Sequence, residues 1–527
     1  MLIKEETVKE ATGLLGCLNR SFHKYGNKMF MSCEGESLTY ADMVEKGNSV
    51  ASQLYDCGIR KGDRVGILLA NSCNWYVFLY GILRLGAIVV PFDPLLGEGE
   101  LTALIKKAGV RVVITVPRHR GVDFIQLFRS MMKGNYDLKE IIVDGKIGSE
   151  PGFIPYDNQS IKEKTIPDFE LSGKDTNVFL CTTGSTGVSK IVDLDGSFYE
   201  NCIENYTSYL EYDKGGVRFF SAMPLYHAAG LGYGLCCMSA GGEIYYAKRF
   251  MPSKMLNLLE SEHITTILST PTIMRVLQSC ENFQNIKLES LEKIIFTGEA
   301  LDNELVETYI EQFGVQVLNI LGSSENFIYL VWDSKLDSQY PVSCFRGINH
   351  LDVRVFKEKT ECSQGQQGTI KIKNQIMKGY YNEPKLTDDV IHVKDGQRWF
   401  DSGDRGLLME DGRISYLGRK KKVMKRGGNL VAFEEVEYAI GLHQHVLLSV
   451  VTCEKDEKFG EKLIAYVQLK GKEAVTKQEL YQFLRKEIAA YKVPDEIFYV
   501  DEIPGSSGKA SVRRLQQMLK EGTLAMY

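Results

Sequence analysis

Short β-branched apolar runs recur along the first part of the chain, separated by longer amphipathic stretches. The runs are "RVGILLA" at 64–70, "AIVVPF" at 87–92, "VRVVITV" at 110–116, "ITTILST" at 264–270, "EKIIFTG" at 292–298 and "VQVLNIL" at 315–321. Helix-like segments such as "WYVFLYGILRLG" and "NELVETYIEQFG" lie between several of them. This alternation predicts α/β layers with largely parallel strands. From about residue 366 the texture changes to "GTIKIKN" and "GRISYLG" with glycine-rich turns, which read as short antiparallel strands. After "GRKKKVMKRGGN" come "LVAFEEVEYAIGLH", "KLIAYVQLK" and the helix-like "TKQELYQFLRKEIAAY". That last piece reads as a separate small α+β domain of about 105 residues.

Length and composition narrow the class. A chain of 527 residues is too long for one core, so two or more domains are expected. A formal net charge of -5 gives no sign of a nucleic-acid footprint. The twelve cysteines are scattered, with Cys236-Cys237 their only close grouping, and none has zinc spacing. Reduced thiols in a cytoplasmic protein are therefore expected. The N-terminus "MLIKEETVKEATGLL" carries acidic residues where a secretory signal needs a basic end and an apolar run. The most apolar long window, 76–92, is interrupted by Arg84 and too short to span a bilayer. It reads as a buried helix leading into a buried strand, and no membrane span is expected.

Candidate chemistry starts at "LCTTGSTGVSKIV", 180–192. Glycines permit close backbone approach, hydroxyls and amides donate hydrogen bonds, and a lysine supplies a point charge. The stretch has the makings of a phosphate cradle. It is not the P-loop of nucleotide hydrolases, because Gly187 and Lys190 are two residues apart and Ile191 follows the lysine. Alone it would read as a solvated Ser/Thr/Gly loop. Further segments follow in order: "MPLYHAAGL" at 223–231, "FTGEAL" at 296–301, "NILGSSE" at 319–325 and "GYYNEP" at 379–384. "DSGDRG" at 401–406, "GRKKKVMKRGG" at 418–428 and "IPGSSGKASVRRL" at 503–515 complete the series. With the glycine-rich loop, this ordered set resembles the adenylate-forming superfamily of acyl- and aryl-CoA synthetases, peptide-synthetase adenylation domains and luciferases. The resemblance covers roughly residues 35 to 515.

That resemblance implies attack of a carboxylate on the α-phosphorus of ATP, then transfer of the acyl group to a thiol. It places Thr182, Thr183, Gly184, Ser185, Thr186, Gly187 and Lys190 on the β- and γ-phosphates. Gly298, Glu299 and Ala300 form the adenine-side turn, and Asn319, Leu321, Gly322, Ser323 and Ser324 the following nucleotide segment. Glu325 is the implied Mg²⁺ ligand, a hard oxygen donor for a hard cation. Asp404 is implied to accept from the ribose hydroxyls, a task suited to a carboxylate, and Arg419, at the domain junction, is implied to reach the ribose as well. Lys509 is the implied adenylation lysine; Thr186, Glu325 and His227 join it in the chemistry. A large domain, 1–419, binds ATP and acid, and a small domain, 420–527, rotates about a hinge near Lys421. The rotated state brings the loop of Lys425, Gly427 and Gly428 to the site for thiol entry.

Some positions depart from the family pattern. Leu321 stands where a tyrosine often stacks on adenine, Ser189 and Ile191 replace a common proline and glycine, and one residue is missing between Pro504 and Gly508. For the acid, the site residues are His227, Ala228, Tyr233, Gly298 and Gly322. Ala228 offers no carboxylate for a substrate ammonium, and an unpaired buried ammonium is costly. A non-amino aryl or fatty acid is thus expected, with coenzyme A or the phosphopantetheine arm of a separate carrier protein as acceptor. The alternatives are a freestanding amino-acid-activating enzyme that loads a carrier protein, oxidative use of the adenylate, and a non-catalytic relative.

Overall fold

The structure is a computed structural model describing residues 12–526, except 97, 135–136, 157–170, 183–189, 249–250, 420–422, 427–428, 457–459, 471–474, 489, 507–508 and 525. Side chains at some flanking positions, Lys425 and Lys509 among them, also lie outside the description.

Three of the apolar runs lie in one eight-stranded sheet. Its order is Gly379–Tyr380, Lys190–Asp195, Thr176–Thr182, Ile88–Pro91, Arg64–Leu68, Val110–Thr115, Glu140–Val143, Phe153–Pro155. The central strands are parallel, while Lys190–Asp195 and Gly379–Tyr380 run antiparallel to their neighbours at one edge. Every residue of Ile88–Pro91 is buried, as a strand covered on both faces requires. The preceding helix Cys73–Arg84 is almost wholly buried, with Arg84 in its last turn. The 76–92 window is thus a core helix and strand, as its interrupted pattern implied. Among the described residues no helix is long and apolar enough to cross a membrane.

The other three runs lie in a fifteen-stranded sheet, where Thr266–Ser269, Lys293–Thr297 and Gln316–Ser323 are parallel neighbours. The chain then reverses. Phe327–Asp333 pairs antiparallel with Gln316–Ser323, and Cys344–Gly347, Ile414–Arg419, Gln397–Leu408 and Gln367–Lys373 continue the antiparallel portion of the sheet. The switch to antiparallel pairing falls at Phe327, not near 366 as the texture indicated. All seven residues of "FIYLVWD" are buried, so this strand lacks the polar alternation that marks a half-exposed one.

From Val423 onward the strands form sheets of their own. A hairpin pairs Val423–Arg426 with Asn429–Ala432, and a three-stranded sheet joins Val446–Asp456, Gly460–Leu469 and Glu496–Tyr499. Their apolar residues, from Met424 to Leu515, make two clusters separate from the main core. The start of "LVAFEEVEYAIGLH" completes the hairpin, and the helix begins only at Phe433. The capping box of Thr476 and Glu479 starts Lys477–Glu487, which stops at an extended Ile488, short of the predicted end. All twelve cysteines are free thiols. Burial on the helix Ala228–Ser239 pushes the Cys236 thiol up to about 12, which makes it inert at neutral pH.

Candidate active site

The strands that flank the glycine-rich segment pair with each other. Thr182 pairs with Lys190 across the strands Thr176–Thr182 and Lys190–Asp195, so both residues stand at the loop's base. Thr183, Gly184, Ser185, Thr186 and Gly187 lie outside the described residues. The edge strand Gly379–Tyr380 zips onto this hairpin. Lys378 N donates to the Asp193 carbonyl at 3.0 Å and Tyr381 N to the Ile191 carbonyl at 2.8 Å. This placement sets the Lys190 ammonium over the Tyr380 ring, 4.4 Å from its centroid.

Glu325 sits in the turn between Gln316–Ser323 and Phe327–Asp333, not at a helix start. Ser323 Oγ accepts from Glu325 N at 3.3 Å and donates to Asn326 Oδ1 at 2.8 Å, which fixes the turn. The Tyr380 hydroxyl donates to Glu325 Oε1 at 2.8 Å. Burial and the adjacent Glu325 carboxylate both hold the Tyr380 hydroxyl protonated. Gly322 admits no side chain, because a Cβ there would meet the Phe327 carbonyl oxygen at 2.0 Å. Ser324 is part-exposed beside it.

Asp404 is 1% exposed, yet it is encircled by partners. Tyr329 donates its hydroxyl to Oδ2, Tyr416 donates to Oδ1 at 3.3 Å, and Arg419 Nε lies 3.1 Å from Oδ1. The ladder puts Asp404 opposite Arg419. The Asp404 charge raises the Arg419 pKa further above its ordinary value. Burial, reinforced by that charge, raises the Tyr329 and Tyr416 hydroxyls well above theirs. The group is a fixed acceptor framed by neutral donors and one cation.

At the turn expected on the adenine side, the strand Lys293–Thr297 ends at Gly298, which has φ +88° and, near a notional Cβ, only Thr270 Cγ2 at 4.0 Å. Gly298 and Ala300 are exposed, forming an open turn. Glu299 is committed locally: its Oε2 accepts from Thr272 N at 3.0 Å and from Thr272 Oγ1 at 2.7 Å. Asn319 is buried, and its amide donates to the Val342 carbonyl at 2.8 Å. Leu321 pairs with Leu330 and packs partly buried on the core, an aliphatic wall where a ring was absent from the pattern.

The segment expected to meet the acid forms the helix Ala228–Ser239, with His227 at its N-cap and its ring 4.7 Å from that of Tyr226. His227 and Ala228 are part-exposed, whereas Tyr233 is buried and its ring packs at a tilt against that of Phe327, centroids 5.2 Å apart. Phe327 was not evident from the sequence. It adopts φ +64°, a region rare for a bulky residue and a mark of local strain. Its ring fills the space over Gly232, where a Cβ would meet it at 2.4 Å, and packs edge-on against Tyr206 at 5.1 Å. Tyr329, Tyr380 and Tyr416 were missed as well. "GYYNEP" flagged the neighbourhood of Tyr380, but nothing in spacing shows which carboxylate a tyrosine reaches.

Lys509 lies on a short hairpin, paired with Ser506, ahead of the helix Val512–Lys520 that Ser511 caps. Lys421, Gly427 and Gly428 are outside the described residues; Lys425 pairs with Leu430 in the small-sheet hairpin.

The sequence profile of the AMP-binding enzyme family matches residues 18–381, and that of the AMP-binding enzyme C-terminal domain matches residues 435–509. The chain belongs to the AMP-binding enzyme family. It is an adenylate-forming enzyme of the acid–thiol ligase class, as the ordered motifs implied. Among relatives is the putative acyl-CoA synthetase YngI of Bacillus subtilis (strain 168), 26% identical over 522 residues, covering 93% of this chain and 92% of the relative. Another is the 2,3-dihydroxybenzoate-AMP ligase of the same organism, 25% identical over 514 residues, covering 96% and 93%. A solved structure of the anthranilate CoA ligase AuaEII in complex with anthranoyl-AMP superposes with a TM-score of 0.85 at 21% identity, covering 99% of this chain and 100% of that one. This likeness carries the fold: a large α/β portion followed by a smaller C-terminal one, as expected. The family uses ATP.

Proposed function

We propose that the protein joins a non-amino carboxylic acid to a thiol in two steps on one site. In the first, a carboxylate oxygen attacks the α-phosphorus of ATP, the bond to the bridging oxygen breaks, and pyrophosphate leaves. In the second, a thiolate attacks the acyl carbon and AMP departs. The observation that carries this reading is a gathering of charged groups from distant segments. Lys190 lies on Tyr380, Tyr380 bonds Glu325, and Arg419, paired with Asp404, is close enough to act electrostatically with Tyr380 and Glu325. Cations and carboxylates so placed suit a polyanionic nucleotide that must be neutralised and aligned.

Each residue then has a role. Lys190 and the loop hydroxyls of Thr183, Ser185 and Thr186 grip the β- and γ-phosphates, and Ser324 donates to the α-phosphate. Asp404 accepts from the ribose, with Tyr329 and Tyr416 fixing the carboxylate's direction. The donor set fits a magnesium ion carried by the nucleotide: one part-exposed carboxylate, Glu325, whose Oε1 is already oriented by Tyr380. Magnesium needs only one or two protein carboxylates beside phosphate oxygens and water. When bound it supplies charge neutralisation of the departing pyrophosphate. Lys509, presented by the small domain beyond residue 419, stabilises the oxygens of the attacked phosphorus. Rotation near Lys421 then exchanges Lys509 for the loop of Lys425, Gly427 and Gly428.

Ala228 at the start of the acid-side helix and the Phe327 ring over Gly232 support a compact acid without an ammonium, aryl or short aliphatic. The names of relatives, a putative acyl-CoA synthetase, a 4-coumarate–CoA ligase and a feruloyl-CoA synthase, support coenzyme A as acceptor. The test is acid-dependent exchange of labelled pyrophosphate into ATP across aryl, short- and long-chain fatty acids and amino acids. Exchange with a non-amino acid, followed by thioester formation with coenzyme A, is expected. Exchange with amino acids alone would overturn the reading of Ala228. Silence across the panel would overturn the activity.

A further inference from the structure

The segment 377–381 is a strut between two parts of the site. At one end Met377 N donates to the Glu325 carbonyl at 2.7 Å. At the other, Lys378 N and Tyr381 N bond the Asp193 and Ile191 carbonyls on the strand that begins with Lys190. Arg398 Nη2 pins the middle through the Met377 and Lys378 carbonyls, at 3.2 and 2.6 Å. Tyr380 is the side chain this strut aims inward, and it is 6% exposed. Its hydroxyl takes Glu325 Oε1 at 2.8 Å, and its face takes the Lys190 ammonium at 4.4 Å.

Opposite charges so close have an alternative, a direct ion pair, which would consume both groups before any ligand arrived. An aromatic ring with a hydroxyl can satisfy each separately. The negative face attracts a cation, while the hydroxyl donates a charge-assisted bond to a carboxylate. Resting on the function proposed above, we propose that Tyr380 is a positioning residue. It keeps the metal-binding carboxylate of Glu325 and the phosphate-binding ammonium of Lys190 apart and preset for magnesium nucleotide. The bond to Oε1 leaves the carboxylate directed by a neutral donor, and the ring seats the ammonium at the start of the strand Lys190–Asp195. Tyr380 touches neither reacting atom.

The two ends of the side chain can be tested separately by calorimetric titration of the full chain with ATP, in excess magnesium and in EDTA. Tyr380→Phe keeps the ring and removes the donor. The affinity gained on adding magnesium should fall fivefold or more, with magnesium-free ATP binding within twofold of wild type. Tyr380→Leu removes both, and magnesium-free binding should fall fivefold or more as well, because Lys190 is then drawn onto Glu325. A purely structural tyrosine would lower both measurements by one common factor in either variant, and that result overturns the proposal. So does a Tyr380→Phe variant with the full wild-type magnesium gain. Thermal melting of Tyr380→Phe, which loses only one hydroxyl, should stay near wild type. If the wild-type chain binds no magnesium ATP, the functional reading falls and this role with it. If it does bind, a failure in the variants removes only Tyr380.

Discussion

Removal of the Asp404 carboxylate tests the most enclosed charge of the site. In Asp404→Ala the Tyr329 hydroxyl, on a residue 1% exposed, loses its acceptor. A buried donor left unsatisfied costs about 1–3 kcal/mol. The Tyr416 hydroxyl, at 3.3 Å, adds less. Arg419 adds little to stability, because its side chain is 47% exposed and water replaces the lost partner; a pair so placed is worth about 0–1 kcal/mol. The loss should total about 1–4 kcal/mol. Asp404→Asn retains an oxygen acceptor and should lose less. Urea denaturation followed by tryptophan fluorescence is the assay, since Trp75, Trp332 and Trp399 all precede residue 419 and report the part that holds Asp404. A double-mutant cycle between Asp404→Asn and Tyr329→Phe should show coupling of about 1 kcal/mol or more. A loss below about 0.5 kcal/mol in Asp404→Ala, against the usual cost of stranding a buried donor, would refute the claim that this carboxylate satisfies Tyr329. In the same variants, an ATP requirement unchanged from wild type would remove Asp404 from the ribose site.

Gly322→Ala should destabilise the protein and abolish ATP binding. Its Cβ would meet the Phe327 carbonyl oxygen at 2.0 Å and backbone cannot step aside; circular dichroism melts and nucleotide titration check this. Phe327→Gly relieves a left-handed φ of +64° but empties the space over Gly232. The missing ring costs about 3–5 kcal/mol, offset by roughly 1 kcal/mol of strain, and the exchange assay should accept bulkier acids; an unchanged acid profile removes Phe327 from the acid wall. Lys509→Ala should cripple pyrophosphate exchange far more than acyl transfer from preformed adenylate, and equal losses in both steps would end its proposed role. Burial lowers the His350 pKa below 6.5, so the fold favours the neutral ring. The unfolded chain then takes up more protons as pH falls through 6.5, and His350's contribution, full above that value, declines toward the lower folded pKa. His350→Asn should flatten the loss of stability between pH 7 and 5.5, measured by denaturation at each pH.

The sequence by itself determined the layers and the reaction class. Continuous apolar runs such as "AIVVPF" and "EKIIFTG" are read correctly because strands buried on both faces need no polar alternation. The reaction class was legible because a glycine-rich segment between strands and a glutamate after a strand are spelled locally, whereas Asp404, read as part of a glycine-rich turn, lies within the strand Gln397–Leu408 opposite Arg419. Tertiary structure alone decided how these pieces meet. The reversal at Phe327 was hidden because its strand is as apolar as the parallel ones before it. Tyr380 reaches Glu325 across 55 positions, and Tyr329 reaches Asp404 across 75. Phe327 takes a conformation that glycine, asparagine or aspartate would have announced, and phenylalanine does not. Motifs record what each segment must offer a ligand, since backbone freedom and charge are properties of single residues. Which tyrosine orients which carboxylate depends on where distant strands bring their side chains, and only the packed sheets fix that.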